Sequence, residues 1–367
     1  TIQDGERVSS ATAFVQPALN RFNLDVLITT HVTKILRTGT SSGVPAFRAV
    51  QMAQSTQGLS FRVNGSREVI LSAGAIATPQ LLMLSGIGDP IQLARFGIQT
   101  IVNLTDVGRN LQDHTNVPMA FVVNATDTLD TFLRDPGRQE AALYQWRSKR
   151  MGQYTTSPGT HIGWFRLPDE ADIFKTVADP SAGSHAPHYE LLDADSFNSA
   201  VLPRPANGNF ISITCVLVSP TSRGSVTLSS SDPFTIPTID PAFLQSPFDI
   251  FTLREAIKSA RQFLSAPVWH GYIVAPFGPA ANATTDSEIE AYARANAGAS
   301  WHSVGTARMS ARGSQDGVVD PDLRVKGTAG LRVVDASVLP VIPGAHTQVP
   351  TYVIAERASR LIQASNP

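Results

Sequence analysis

Apolar positions in this chain fall into short alternating runs more often than into long helical stripes. Leu24 to Ile28 and His31 to Leu36 read as strands. A polar loop from Thr38 to Pro45 returns the chain through Ala46 to Val50, which predicts a hairpin. Before them, a capped helix is expected from Ser9, with Pro17 near its end. Glu68 to Leu71 is a short apolar strand. Small residues from Ser72 lead it into a helix expected to have Thr78 as cap, Pro79 as first residue and Gly86 and Gly88 as its stop. A strand at Thr100 to Leu104 precedes a polar, turn-rich octet, Val107 to His114. Phe121 to Val123, Ile211 to Val218 and Ser225 to Leu228 read as strands, with helices near 139–149, 248–265 and 286–297. Leu331 to Val334 is a buried strand ending in Asp335-Ala336-Ser337. A Pro/Gly loop then opens, at Pro350, a helix with Ile354, Ala358, Leu361 and Ile362 on one face.

Composition narrows the class. With 42% hydrophobic residues among 367, a sizeable core is available, while a net charge of -1 offers no basic surface for nucleic acid. No apolar run approaches a membrane span, so no membrane partner is expected. Cys215 is the single cysteine and sits in an alternating strand, which rules out an internal disulfide. Asn64, Asn103, Asn124 and Asn282 head Asn-x-Ser/Thr sites, the pattern of a secreted, extracellular glycoprotein. Two local motifs are read as coincidence. Gly39-Thr-Ser41-Ser-Gly43 has the spacing of a nucleophile elbow but continues into Val44-Pro45 and a strand rather than a helix. His185 and His188 are spaced as metal ligands, but Pro187 between them opposes a helix and no third ligand follows, so no metal is expected.

The chemistry concentrates near the end. His302 lies in Trp301-His-Ser-Val-Gly-Thr306 and His346 in Pro343-Gly-Ala-His-Thr-Gln348, both runs of small turn-forming residues that can face side chains into a cleft. The strand before Asp335, the loop and the helix start together suit a polar or anionic ligand. Asp113 and His114 form a second candidate pair in the polar octet; a loop held by its own side-chain caps is the alternative.

Five motifs in order resemble the glucose–methanol–choline (GMC) oxidoreductases: Glu68 to Gly88, Val107 to His114, Ser222 to Val226 with Ile239 to Pro241, His302 to Thr306, and Val318 to Pro321 through Arg357. His346 in Ala345-His-Thr-Gln348 makes the chain look most like the fungal aryl-alcohol oxidases. The resemblance implies an α/β plus α+β fold: the remainder of a GMC-type FAD-binding domain at 1–114 and 301–367, and a substrate domain at 115–300 built on an antiparallel sheet flanked by helices. It implies FAD as cofactor, with Val32, Asn110, Asp335, Ala336, His346, Thr347 and Gln348 towards it. It implies His302 as the base that takes the hydroxyl proton while hydride leaves for the flavin, and His346 as the group holding the substrate oxygen. Trp301 and Phe197 would be the aromatics against a benzylic alcohol, with dioxygen reduced to hydrogen peroxide. The family's opening G-x-G-x-x-G turn is not found in this sequence. The chain is therefore expected to be a C-terminal portion, with an N-terminal segment or partner chain completing the FAD site. Two other readings stay open: a non-redox protein on this scaffold, as hydroxynitrile lyases are, and a cofactor-free chain with a binding role.

Overall fold

The computed structural model describes residues 2–157 and 159–365. The expected hairpin forms as β1 (His31–Ser41) and β2 (Val44–Ala53), with β3 (Ser60–Asn64) added on its far side. Its tip is Ser42-Gly43, at φ +51° and +81°. Two successive positive φ values give the mirror-image turn whose twist matches the strands. Ser41 thus ends a strand at a hairpin tip, and no nucleophile elbow exists there. Leu24 to Ile28 do not form the predicted strand. They run unpaired with Val26, Leu27 and Ile28 exposed, because no neighbouring strand offers them a ladder among the described residues. The expected N-terminal helix is a short π turn (Ala11–Val15) running into Gln16–Ala18.

Next comes β4 (Val69–Leu71), then α1 (Gly74–Leu84). This helix starts a full turn earlier than the Thr78-Pro79 pair suggests. Pro79 lies inside it and has no N–H for the Ala75 carbonyl one turn back. That carbonyl instead accepts the Thr306 hydroxyl at 2.6 Å. Leu81 to Leu84 of α1 pack on Ile35 of β1 and Phe47 of β2, forming one of two main cores.

β5 (Arg109–Leu111) leads into β6 (Thr115–Val123), the centre of the largest sheet. With β7 (Gly159–Phe165), β8 (Tyr189–Ala194), β9 (Phe210–Leu217) and later β12, its antiparallel order is β7-β8-β9-β6-β12. β10 (Gly224–Thr227) pairs with β5 on one side and with β11 (Thr238–Asp240) on the other, a separate three-stranded sheet. α2 (Pro247–Leu264) then covers one face of the sheet, followed by β12 (Ile273–Phe277), α3 (Asp286–Asn296) and β13 (Gly298–Ala299), which pairs with β6. Ser246 caps α2 by accepting the Phe248 N–H, and Pro247 occupies the first turn, where its missing N–H costs nothing. The helix stripe Phe248, Leu253, Ile257 and Leu264 meets Val117, Met119 and Phe121 of β6 and Ile211, Ile213, Cys215 and Leu217 of β9. Each such side chain contributes about 1.5–3 kcal/mol by leaving water. Burial also pushes the Cys215 thiol pKa up, as expected of an inert core residue.

Strand alternation sends the other residues to the opposite face. Glu190 lies opposite Val216, which lies opposite Asn116; Leu192, Thr214 and Pro118 form the next row. This polar-bearing face looks towards the last part of the chain. There β14 (Leu331–Val333) pairs in parallel with β4, and α4 (Gln348–Ser365) closes the fold. α4 begins before Pro350, which sits third in the helix, still among the N–H groups that lack partners.

Candidate active site

The base-type histidine stands on a bulge. Gln112 and Val304 exchange both backbone hydrogen bonds, at 3.1 and 2.9 Å, and Thr115 lies opposite Ala299. Between these pairings, residues 300–303 face only residues 113–114. The surplus is taken up where Trp301 adopts φ +58°. Such bulges re-aim side chains. Asp113 holds this one: its carboxylate accepts the His302 N–H at 2.9 Å and the Ser303 hydroxyl at 2.7 Å. Burial raises the Asp113 pKa against those bonds.

The His302 ring meets two others. Its Nδ1 is 2.9 Å from Nδ1 of His114, and its ring centre is 4.9 Å from that of His346. Burial lowers the His302 pKa, helped by the positive charge on His346. His346 moves the other way. Its Nε2 lies 3.1 and 3.2 Å from the two carboxylate oxygens of Glu190, and this bond raises its pKa. Glu190 is buried on β8, so its charge faces this imidazole rather than water. The site thus holds one imidazole biased towards the free base beside one biased towards the cation, an arrangement suited to taking a proton from a hydroxyl while steadying its oxygen.

A second feature lies at the carboxyl ends of β4 and β14. Asp335 clamps them: one carboxylate oxygen accepts the Gly74 N–H at 2.9 Å and the Thr78 hydroxyl at 2.6 Å, while the other takes the N–H and hydroxyl of Ser337. Gly74, at φ +81°, has open space where a side chain would stand, and the residue before it, Ala73, has no side chain able to cap α1, so among the described residues Asp335 alone takes the Gly74 N–H. Strand ends and a glycine-lined gap beside a helix start suit a phosphate-bearing ligand.

The structure gathers most of the expected residues between these features. Asn110, at φ +62°, packs over Gly305 and donates to the Pro340 carbonyl at 3.2 Å. The Ala336 carbonyl accepts the Gly305 N–H. Thr347 is buried at the head of α4, and Gln348 is exposed beside it. Val32 lies apart, half-buried on β1 opposite Met52. Trp301 is 90% exposed beside His302. Phe197 requires a correction. It is 4% exposed and wedged edge-on between Phe210 and Phe277, so its ring is a core ring rather than a substrate contact. Its loop is drawn inwards because buried Asp130 accepts the N–H groups of Phe197 and Phe210. His188 is likewise structural: buried, it contacts Asp179 at 3.0 Å and accepts the Leu167 N–H, and no metal-type cluster occurs among the described residues. Sequence reasoning missed Glu190, an interior position on an alternating strand.

Comparisons place this geometry among known proteins. Residues 1–116 and 220–355 match two family profiles, both described as GMC oxidoreductase. Dehydrogenase eriK of Hericium erinaceus is 39% identical over all of this chain and 62% of its own length. A pyranose dehydrogenase of Agaricus xanthodermus is 39% identical over 99% of this chain and 60% of its own. The chain therefore spans about 60% of the curated relatives it matches. A formate oxidase of Aspergillus oryzae, solved in a study of FAD modification, superposes with TM-score 0.89 at 30% identity, over 100% of this chain and 64% of that one. A fungal aryl-alcohol oxidase superposes with TM-score 0.81 at 27% identity, over 98% and 64%.

Proposed function

This chain belongs to the GMC oxidoreductase family, and we propose that it carries the catalytic histidines of a flavin-dependent enzyme that oxidises an alcohol to a carbonyl compound. The observation that carries this reading is the pair His302 and His346, ring centres 4.9 Å apart with pKa values displaced in opposite directions. The cofactor is FAD. Gly74, the start of α1, Asp335 and Ala336 fit its phosphate-bearing part, and Asn110, Thr347 and Gln348 fit the approach to its ring. When bound, FAD supplies a two-electron acceptor that no side chain here provides.

The residues supply the proton chemistry. Neutral His302 accepts the hydroxyl proton, which leaves the carbon electron-rich and ready to be oxidised. His346, its pKa raised by the hydrogen bond to Glu190, in its protonated form donates a hydrogen bond to the developing alkoxide. Asp113 keeps His302 on its bulge by holding its N–H. The overall reaction we infer is a primary alcohol plus dioxygen giving an aldehyde plus hydrogen peroxide.

For the substrate, an aromatic primary alcohol is supported by Trp301 next to the base and by the likeness to an aryl-alcohol oxidase. A second reading, a sugar, is favoured by the polar sheet face: Asn116 donates to Ser300 and Asn198 to Thr214, groups able to bind several hydroxyls. The relatives named pyranose dehydrogenases lend it weight. The reading extends to an extracellular enzyme in which a further segment or partner chain completes the FAD site. The test uses the full-length enzyme with FAD bound, mixed without oxygen with benzylic alcohols or pyranoses. Loss of visible flavin absorption with one class and not the other assigns the substrate. No reduction by either, or near-normal turnover by His302→Ala, overturns the proposal. Admitting oxygen and finding no peroxide would leave a dehydrogenase.

A further inference from the structure

We propose that His114 is a positioning residue that holds His302 as its Nδ1–H tautomer and so leaves Nε2 as the free lone pair. This deepens the reading of His302 as the base and rests on it.

His114 is fully buried, with Nε2 3.0 Å from the Pro343 carbonyl oxygen. A carbonyl only accepts, so Nε2 of His114 carries a hydrogen. Burial and the neighbouring charge on His302 push the His114 pKa down to about 3, so this imidazole keeps a single proton. Its Nδ1 is therefore bare. That atom lies 2.9 Å from Nδ1 of His302, a distance that requires one hydrogen between them. Only His302 can supply it. With its hydrogen fixed on Nδ1, neutral His302 has its lone pair on Nε2, the nitrogen no protein group engages among the described residues. The opposite tautomer would set two buried lone pairs face to face and leave both without a donor.

Backbone fixes the two rings as well as their hydrogens. The 112–304 pairing sets His114 across from His302, and the rings meet edge to face at 87°. The Pro343 carbonyl belongs to the loop that carries His346. One chain of contacts, Pro343 to His114 to His302, therefore links the His346 loop to the proton-accepting nitrogen. Outer partners that fix an imidazole's tautomer are a general device.

The test is nitrogen NMR on full-length holoenzyme labelled with 15N-histidine, above the His302 titration, with the His302 signals assigned by their loss in His302→Ala. Expected are a protonated-type Nδ1 and a bare-type Nε2. In His114→Phe, which keeps a ring but offers no acceptor, the His302 signals should shift to a tautomer mixture. At the same time kcat should fall at least tenfold with KM nearly unchanged, a fraction of the ~10²–10⁴ that acid–base groups supply. His114→Gln, which can donate to Pro343 and accept from His302, should restore part of both. A wild-type His302 protonated on Nε2 overturns the proposal even if His114→Phe fails to fold, and so does an unchanged tautomer in that variant. If the expected tautomer is found but His302→Ala still turns over, the base assignment fails and the His114 contact stands. If His302→Ala is dead but the tautomer is wrong, the reverse holds.

Discussion

His346 and Glu190 show how a single buried carboxylate sets a working pH. His302 must be neutral to accept a proton. Because its pKa lies below the ordinary histidine value of 6.5, activity should rise with pH through a limb on the acid side of that value. His346 must stay protonated, and its pKa lies above 6.5, so activity should fall through a limb on the alkaline side. Replacing Glu190 by Gln removes the charge that raises His346, and the alkaline limb should move to lower pH while the acid limb moves little. A kcat/KM profile of both proteins reads this directly; an unmoved alkaline limb would detach Glu190 from the chemistry. The two histidines stood out in the sequence because each lies in a turn-rich run. Glu190 did not, since a carboxylate on an alternating strand resembles any other until its partner, 156 residues away, is in place. His114 was visible only as half of a candidate pair with Asp113, its partner ring being 188 residues off.

At the scale of elements, what packs locally was legible and what is fixed from afar was not. The β1–β2 hairpin, α2 and α3 follow from alternation, caps and stripes in their own residues. The α3 start even carries a capping box between Thr285 and Glu288. By contrast, α1 begins early because Asp335, far along the chain, holds the Gly74 N–H. Leu24 to Ile28 have strand composition but no strand beside them. Phe197 has the composition of a gate but is pulled into the core by Asp130. The stripe of α2 carries the sheet's stability. Leu253→Ala there should cost about 2–5 kcal/mol, since a fully buried leucine leaves a cavity the sheet cannot close. Urea unfolding of the full-length protein measures it, and a loss under about 1 kcal/mol would mean the helix settles onto the sheet.

At the scale of the molecule, all four Asn-x-Ser/Thr asparagines are exposed, so the fold leaves each open to a glycan. Protein secreted from a fungal host should lose mass on glycosidase treatment; an unchanged mass would argue against the extracellular reading. Two cores meet around the histidines. One holds the sheet and α2; the other holds α1, the hairpin and β14. Between them runs the hydrogen bond from the Thr306 hydroxyl to the Ala75 carbonyl of α1. Pro79 gives the Ala75 carbonyl no helical N–H, and the Thr306 hydroxyl, four residues past His302, binds that carbonyl at 2.6 Å. The helix start that fits the cofactor and the segment bearing the base are thereby tied like two ends of one lever, so that neither can drift without pulling the other. Thr306→Val removes the hydroxyl and with it the tie. That variant should turn over several-fold more slowly; a native kcat would show that the tie does not reach the base. In that sense one hydroxyl fastens the segment that bears the base to the helix that faces the cofactor.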